Sequence, residues 1–176
     1  RSATDMAGRL GLETQMVDGR RITDAGMLEV ATMVYGGLVN KKVVAQCQSR
    51  GLNAMGLTGA DLDLIRAKKR TGTEIDYGFV GDVEEVHVKT IAPFIKQGVV
   101  PVVAPLSHDG QGQMLNTNAD TIASALARAF AEVFDTRLVY CFEKPGVLIN
   151  PDDDNSVIPF LNRELFHMYR EEGIIS

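Results

Sequence analysis

The chain has 176 residues, 45% of them hydrophobic and 23% charged, with a formal net charge of -5. That length and apolar content suit one globular domain with room for a sheet and covering helices. The acidic balance excludes a broad nucleic-acid footprint, so an anionic ligand has to be met by locally placed Arg, Lys or backbone N–H groups. No apolar run approaches the ~18 residues of a membrane span. Cys47 and Cys141 lie in apolar runs without metal-ligand spacing and read as buried thiols of a reducing, cytoplasmic compartment.

Residues 2–10 suit a short helix. Residues 13–17 and 20–23 read as two strand-like pieces around an Asp18-Gly19 turn, a hairpin carrying two arginines. Arg21 is a candidate carboxylate clamp, because guanidinium presents a fork of donors that matches two oxygens; a solvated surface pair is the plainer alternative. Thr23 or Asp24 then caps a long helix in which Met27, Val30, Ala31, Val34 and Leu38 share a face. Gly36-Gly37 interrupts it at a cost of about 1 kcal/mol per glycine relative to Ala, either for close approach of another backbone, a second subunit included, or for a kink. Residues 53–58 read as a short strand ending in Thr58-Gly59, and a helical turn over 61–65 makes this a βα unit.

Residues 66–85 suggest strands joined by tight turns, with the basic run Lys68-Lys69-Arg70 a solvated face in preference to a phosphate site. A helix over 88–97 leads to the β-branched run 99–105, a buried strand in which Pro101 belongs near the beginning. Residues 107–112 read as a loop, and His108 as a loop residue without a triad around it. The next helix starts at 116–118 and carries an apolar stripe of Ile122, Leu126, Ala129, Phe130 and Val133. Asn is a favoured N-cap and Asp suits the first turn, yet Asn116, Asn118 and Asp120 together exceed what a cap requires. Four apart, Asn116 and Asp120 would lie on one side of a helical turn, an amide and a carboxylate facing one space.

Residues 137–142 read as a near-continuous apolar strand of a parallel sheet covered on both faces. The turn over 143–148 stands at its carboxyl end, where open α/β sheets bind nucleotides. Asp152-Asp153-Asp154-Asn155 reads as a solvated turn in preference to a metal cluster. Residues 160–172 form a last amphipathic helix with Leu161, Leu165 and Met168 on one side.

Taken together, Asp18-Gly19-Arg20-Arg21-Ile22-Thr23-Asp24, Val39-Asn40-Lys41, Gly78-Phe79-Val80-Gly81-Asp82-Val83, Pro101-Val102-Val103-Ala104-Pro105, Asn116-Thr117-Asn118-Ala119-Asp120, Pro145-Gly146-Val147-Leu148 and Gly173-Ile174-Ile175 resemble the amino-acid kinase family, on the side that phosphorylates N-acetylglutamate. Each stretch is weak alone; their order and spacing are specific and cover nearly the whole chain.

The resemblance implies an α/β fold, a three-layer αβα sandwich with a central, mostly parallel sheet, truncated at both ends. Residues 1–176 would be a single, partial kinase domain. It implies ATP, with Mg²⁺ bound through the nucleotide, as phosphoryl donor to the side-chain carboxylate of N-acetylglutamate in arginine biosynthesis. Arg21 looks like the family residue that binds a substrate carboxylate, Asn116 like the one that holds the acylated amino acid, and Asp120 like the aspartate that orients two catalytic lysines. Glu143, Lys144, Pro145, Gly146, Val147 and Leu148, with Ile174, Ile175 and Ser176, fall where the family contacts ATP.

The family's lysine-bearing first strand and glycine-rich phosphate loop would precede Arg1, and its second lysine would follow Ser176, so this stretch alone is expected to be inactive. Glu143 stands where the family has Asp. One extra methylene moves a carboxylate by about 1.5 Å. A homodimer or larger homo-oligomer, a cytoplasmic location, and no nucleic-acid or membrane partner complete the expectation. The motifs around Arg21 and Asn116 argue against glutamate 5-kinase and uridylate kinase. Another N-acyl group such as succinyl, and a non-catalytic amino-acid-binding domain of the same fold, stay open.

Overall fold

Among the described residues, eight short strands and six α-helices follow one another in a mixed α/β order. The computed structural model describes residues 2–13, 15–17, 20–141 and 143–175, with the side chains of Ser2, Arg20 and Arg21 also outside the description. The chain divides into two units, Arg1–Leu138 and Val139–Ser176.

In the first unit α1 (Ser2–Arg9) packs Ala3 and Ala7 against Met27, Val30 and Val34. Strands β1 (Met16–Val17) and β2 (Arg20–Arg21) pair antiparallel; the Asp18-Gly19 turn expected between them lies outside the described residues. Asp24, not Thr23, caps α2 (Ala25–Ala31), its carboxylate accepting from the Met27 N–H at 2.7 Å. A π-helical stretch, Thr32–Val39, continues the helix into α3 (Asn40–Gln48). Its i→i+5 bonding widens the turn and shifts the phase of the stripe. Met27, Val30, Ala31 and Val34 are therefore buried as expected, whereas Leu38 is 49% exposed. Gly36 is approached by side chains and not by a backbone: a Cβ there would meet Leu106 Cδ1 at 3.3 Å and Thr58 Cγ2 at 3.4 Å, and Gly37 faces open space.

Strand β3 (Ala54–Leu57) pairs in parallel with β6 (Val100–Val103), with Pro101 at the second position. Asn40, 3% exposed, donates from Nδ2 to the carbonyls of Leu57 (3.4 Å) and Val102 (2.8 Å), fastening α3 to both strands. The chain leaves β3 through a 3₁₀ turn, Asp61–Asp63, into β4 (Ile65–Lys69), so β3 is followed by a strand and not by a helix. Strand β5 (Gly81–Val86) pairs antiparallel with β4, β4 bridges in parallel to β7 (Leu106–His108), and β7 pairs antiparallel with β8 (Met114–Asn116). The expected 88–97 helix is a 3₁₀ turn, Val88–Thr90, followed by α4 (Ala92–Lys96), with Pro93 in its first turn. Leu57, Leu64, Ile65, Ile91 and Ile122 form the sheet-side core, onto which α5 (Ala119–Phe130) lays Ile122, Leu126 and Phe130.

Several sequence readings are corrected here. The 107–112 loop is β7 and a tight turn into β8, in which the Asp109 carboxylate accepts from the N–H groups of Gln111 and Gln113. Residues 137–141, expected in a strand, lie outside regular structure, with Val139 70% exposed. β-branched composition raises strand propensity but supplies no ladder partner. Phe142 lies outside the described residues. Cys47 is half-buried and Cys141 exposed, against the expectation of two buried thiols.

The second unit contains a 148–157 antiparallel bridge and α6 (Arg163–Glu171), capped by Asn162, whose side chain accepts from Leu165 N–H. Among the described residues, none beyond Ala125 is buried.

Candidate acceptor-binding site

Three distant segments run side by side in the first unit. Thr23, fully buried, donates its N–H to Tyr77 O (2.9 Å) and accepts at its own carbonyl from Phe79 N–H (2.7 Å). Gly78, with φ +71°, lies so close to the Thr23 carbonyl that a Cβ would overlap the oxygen; only glycine meets both conditions. Two residues further, Val80 bridges in parallel to Asn116, whose N–H donates to Phe79 O at 2.9 Å. The Asn116 side chain reaches back from Nδ2 to Thr23 Oγ1 at 3.1 Å. Beneath them, the buried hydroxyls of Ser107 and Thr117 lie 2.7 Å apart and Thr117 Oγ1 donates to Gly81 O at 3.3 Å, so polar atoms under this floor are satisfied within it.

Above the floor is a cavity of ≈ 590 Å³, in the size range of small-molecule sites, with Asn116, Thr117 and Asn118 in its lining beside Tyr77, Val80 and Pro105. It has one charged side chain among its described lining residues, Arg70. Asp82 accepts from Arg70 Nε at 3.0 Å and also from Nη2, and the Tyr77 ring lies 5.9 Å from the guanidinium carbon. The hydrogen bonds to Asp82 raise the pKa of Arg70 further, so it is cationic throughout the physiological range.

The basic run 68–70 is not one solvated face. Lys68 and Lys69 have side chains 66% and 45% exposed, but that of Arg70 is only 21% exposed. The available signal was Asp82 in the Gly78–Val83 motif, a carboxylate in need of a partner across the β4–β5 pair.

The expected site residues are distributed as follows. Asn116 lines the cavity, but from the end of β8 and not from a helix, so the i, i+4 argument linking it to Asp120 does not hold: α5 starts at Ala119. The polar surplus resolves into separate jobs. Asn118 is the cap, accepting from Thr121 N–H at 3.0 Å, Asn116 is a strand residue turned to the cavity, and Asp120 is exposed in the first turn. Arg21 has its backbone in β2; its side chain lies outside the described residues. Glu143 to Leu148 belong to the second unit. There Lys144 Nζ contacts Asp154 Oδ1 (2.9 Å) and Pro151 O (3.2 Å), Ile158 N–H donates to Val147 O, and Leu148 pairs with Val157. Ile174 and Ile175 donate to Tyr169 O and close α6; Ser176 lies outside the described residues.

The amino acid kinase family matches residues 1–175. The chain is 61% identical over 175 residues to the acetylglutamate kinase of Bacteroides thetaiotaomicron, covering 99% of this chain and 68% of that one. It is 61% identical to the acetylglutamate kinase of Bacteroides fragilis, with coverages of 99% and 67%. Among solved structures, a Streptococcus mutans UA159 protein superposes with a TM-score of 0.84 at 23% identity over 99% of this chain and 68% of that chain, a likeness of fold.

Proposed function

The chain belongs to the amino acid kinase family, and from that premise we propose that it serves phosphoryl transfer from ATP to the side-chain carboxylate of N-acetyl-L-glutamate, giving an acyl phosphate on the route to arginine. One observation supports the reading at this site: family-like stretches separated by up to 93 positions, at Thr23, Gly78–Asp82, Pro105 and Asn116, are hydrogen-bonded together, and Val80, Pro105 and Asn116 from them line one cavity.

The chemistry asks little acid–base work of the protein. A carboxylate is already a nucleophile at neutral pH, so the protein has to hold two anions in line and balance the charge that spreads over the transferred group. ATP with Mg²⁺ bound through its phosphates supplies the phosphoryl group and part of that balance. We assign Asn116 to holding the acylated amino acid, with Thr23 Oγ1 fixing its amide, and Arg21 to a substrate carboxylate. Asp120, exposed in the first turn of α5, is assigned to orienting cationic groups at the phosphoryl site. Glu143 to Leu148 and Ile174 to Ser176 are assigned to the nucleotide, and the two units to one kinase domain.

Self-association belongs to the same reading, supported by Met33, Leu38, Val39 and Val43, all more than a third exposed along the π/α3 helix. A cytoplasmic location is also part of it; among the described residues no helix is long and apolar enough to cross a membrane.

The test places residues 1–175 in the corresponding span of the B. thetaiotaomicron relative and traps acyl phosphate as hydroxamate, with N-acetylglutamate as acceptor and free glutamate as control. ATP-dependent hydroxamate from the acetylated acceptor is expected, with kcat/KM falling about 10–100-fold in Asn116→Ala. No product from the acylated acceptor would sink the kinase reading.

A further inference from the structure

Tyr77 is 8% exposed, its phenolic O–H has no hydrogen-bond partner among the described residues, and its oxygen stays open at the cavity surface. Buried tyrosine hydroxyls ordinarily find a partner. The two threonines of the same lining have theirs: Thr117 Oγ1 donates to Gly81 O and Thr121 Oγ1 to Asn118 Oδ1, each at 3.3 Å. Tyr35 also lines the cavity, but it packs on the Met27, Val30 and Val34 cluster, whereas Tyr77 lies against a cation, with Arg70 Cζ 5.9 Å from its ring centroid. The ring is held from both ends. Tyr77 O accepts from the buried Thr23 N–H at 2.9 Å, Gly78 follows with no room for a Cβ, and the guanidinium under the ring is gripped by Asp82. A donor fixed in this way loses little freedom when a ligand supplies the acceptor. Beside a guanidinium that acceptor is best an anion.

The acceptor of the proposed reaction has two carboxylates. The side-chain one has to keep a lone pair on the line to the phosphoryl group, and a strong donor placed on it would weaken it as a nucleophile. That leaves the α-carboxylate for this corner of the cavity. With about four lone-pair sites it can accept from Arg21, already assigned to a substrate carboxylate, and from a phenol as well. We propose that Tyr77 is a further acceptor-binding residue, whose O–H donates to the α-carboxylate and so fixes which end of the molecule faces the phosphoryl donor. The proposal rests on the kinase reading and deepens it. The acyl group plays no part in it.

The experiment compares the exchanged enzyme with its Tyr77→Phe variant, which keeps the ring and removes only the hydroxyl. KM for N-acetylglutamate should rise about 10–100-fold, the scale of one hydrogen bond to a charged group, with KM for ATP unchanged. The second probe is 4-acetamidobutanoate, which has the acyl group and the side-chain carboxylate but no α-carboxylate. Its Ki as a competitor of N-acetylglutamate should agree within about twofold between the two proteins. Because the hydroxyl has no partner within the protein, the melting temperature should not fall. Three results overturn the proposal while leaving the kinase reading intact: an unchanged KM for N-acetylglutamate, an equal loss of affinity for both compounds, or a lowered melting temperature with no change in either affinity. No turnover of N-acetylglutamate by the unsubstituted enzyme overturns both.

Discussion

Around Thr23, Gly78 and Asn116 the backbone is held from several sides at once, by strand bonds, by a buried hydroxyl pair and by a glycine with no room for a Cβ. Around Gly146 and Leu148 the chain is held by the Leu148–Val157 bridge with its two backbone bonds, Ile149 N–H to Ser156 O and Ile158 N–H to Val147 O, and by exposed side-chain bonds of Ser156 and Lys144. In the first region Thr23, Ser107 and Thr117 are buried, so the hydroxyl pair is shielded from water. The second belongs to a unit of 38 residues in which no described residue is buried. The difference shows where this chain can tolerate change: the bonds are buried where the acceptor is proposed to sit, and exposed where the nucleotide is proposed to sit.

The two glycines offer the largest test. Gly78→Ala should cost about 2–4 kcal/mol, adding a left-handed penalty to an overlap with a backbone oxygen that cannot move alone. Gly146→Ala meets only a Val157 methyl and needs no left-handed backbone, so about 1 kcal/mol is expected. Thermal unfolding of both variants measures this, and equal losses would break the comparison. Next is the hydroxyl pair. Thr117→Val strands Ser107 Oγ in a buried site and should cost about 1–3 kcal/mol, while adding Ser107→Ala to it should recover part of the loss. A double-mutant cycle in denaturant reads the coupling.

A smaller effect is expected at the exposed edge of the first unit. Asp63 takes Arg66 Nε and Nη2 at 2.8 and 2.7 Å and lies 2.9 Å from His108 Nε2. The Arg66 hydrogen bonds, ahead of the nearby histidines, hold its pKa below 3.8. A lowered carboxylate contributes stability that is complete above its unfolded value and is lost as pH falls through the folded one. The stability gap between the parent and Asp63→Asn should therefore stand at pH 7 and close as pH drops below 3.8. A gap that widened on acidification would refute this. Smallest of all, Lys144→Ala should change stability by less than about 0.5 kcal/mol, because the side chains of Lys144 and Asp154 are 53% and 67% exposed. A larger loss, measured by the same unfolding, would show the second unit to be more tightly built than its surface suggests.

Much of the local structure was legible in the residues. The stripes Met27-Val30-Ala31-Val34 and Ile122-Leu126-Phe130 are buried or packed on the core, and the residues narrowed the caps to Thr23 or Asp24 and to 116–118, of which the structure selects Asp24 and Asn118. The π-widening was not legible, because it changes the phase of a helix without changing its composition. The β7–β8 hairpin was hidden by polar side chains whose backbone partners lie on another strand. Residues 137–141 misled in the opposite sense, since β-branched and aromatic content measures fitness for a pleated surface and not the presence of a neighbour.

The sequence by itself determined the family and the reaction class it implies, because these depend on residue types in a fixed order. Tertiary structure decided that Asn116 is a strand residue bound to Thr23 across 93 positions, and that Arg70 leaves its basic run to enter the same cavity. Such facts are absent from any local pattern. They arise when hydrogen-bond pairing and burial bring distant segments together and fix which donors remain open to a ligand.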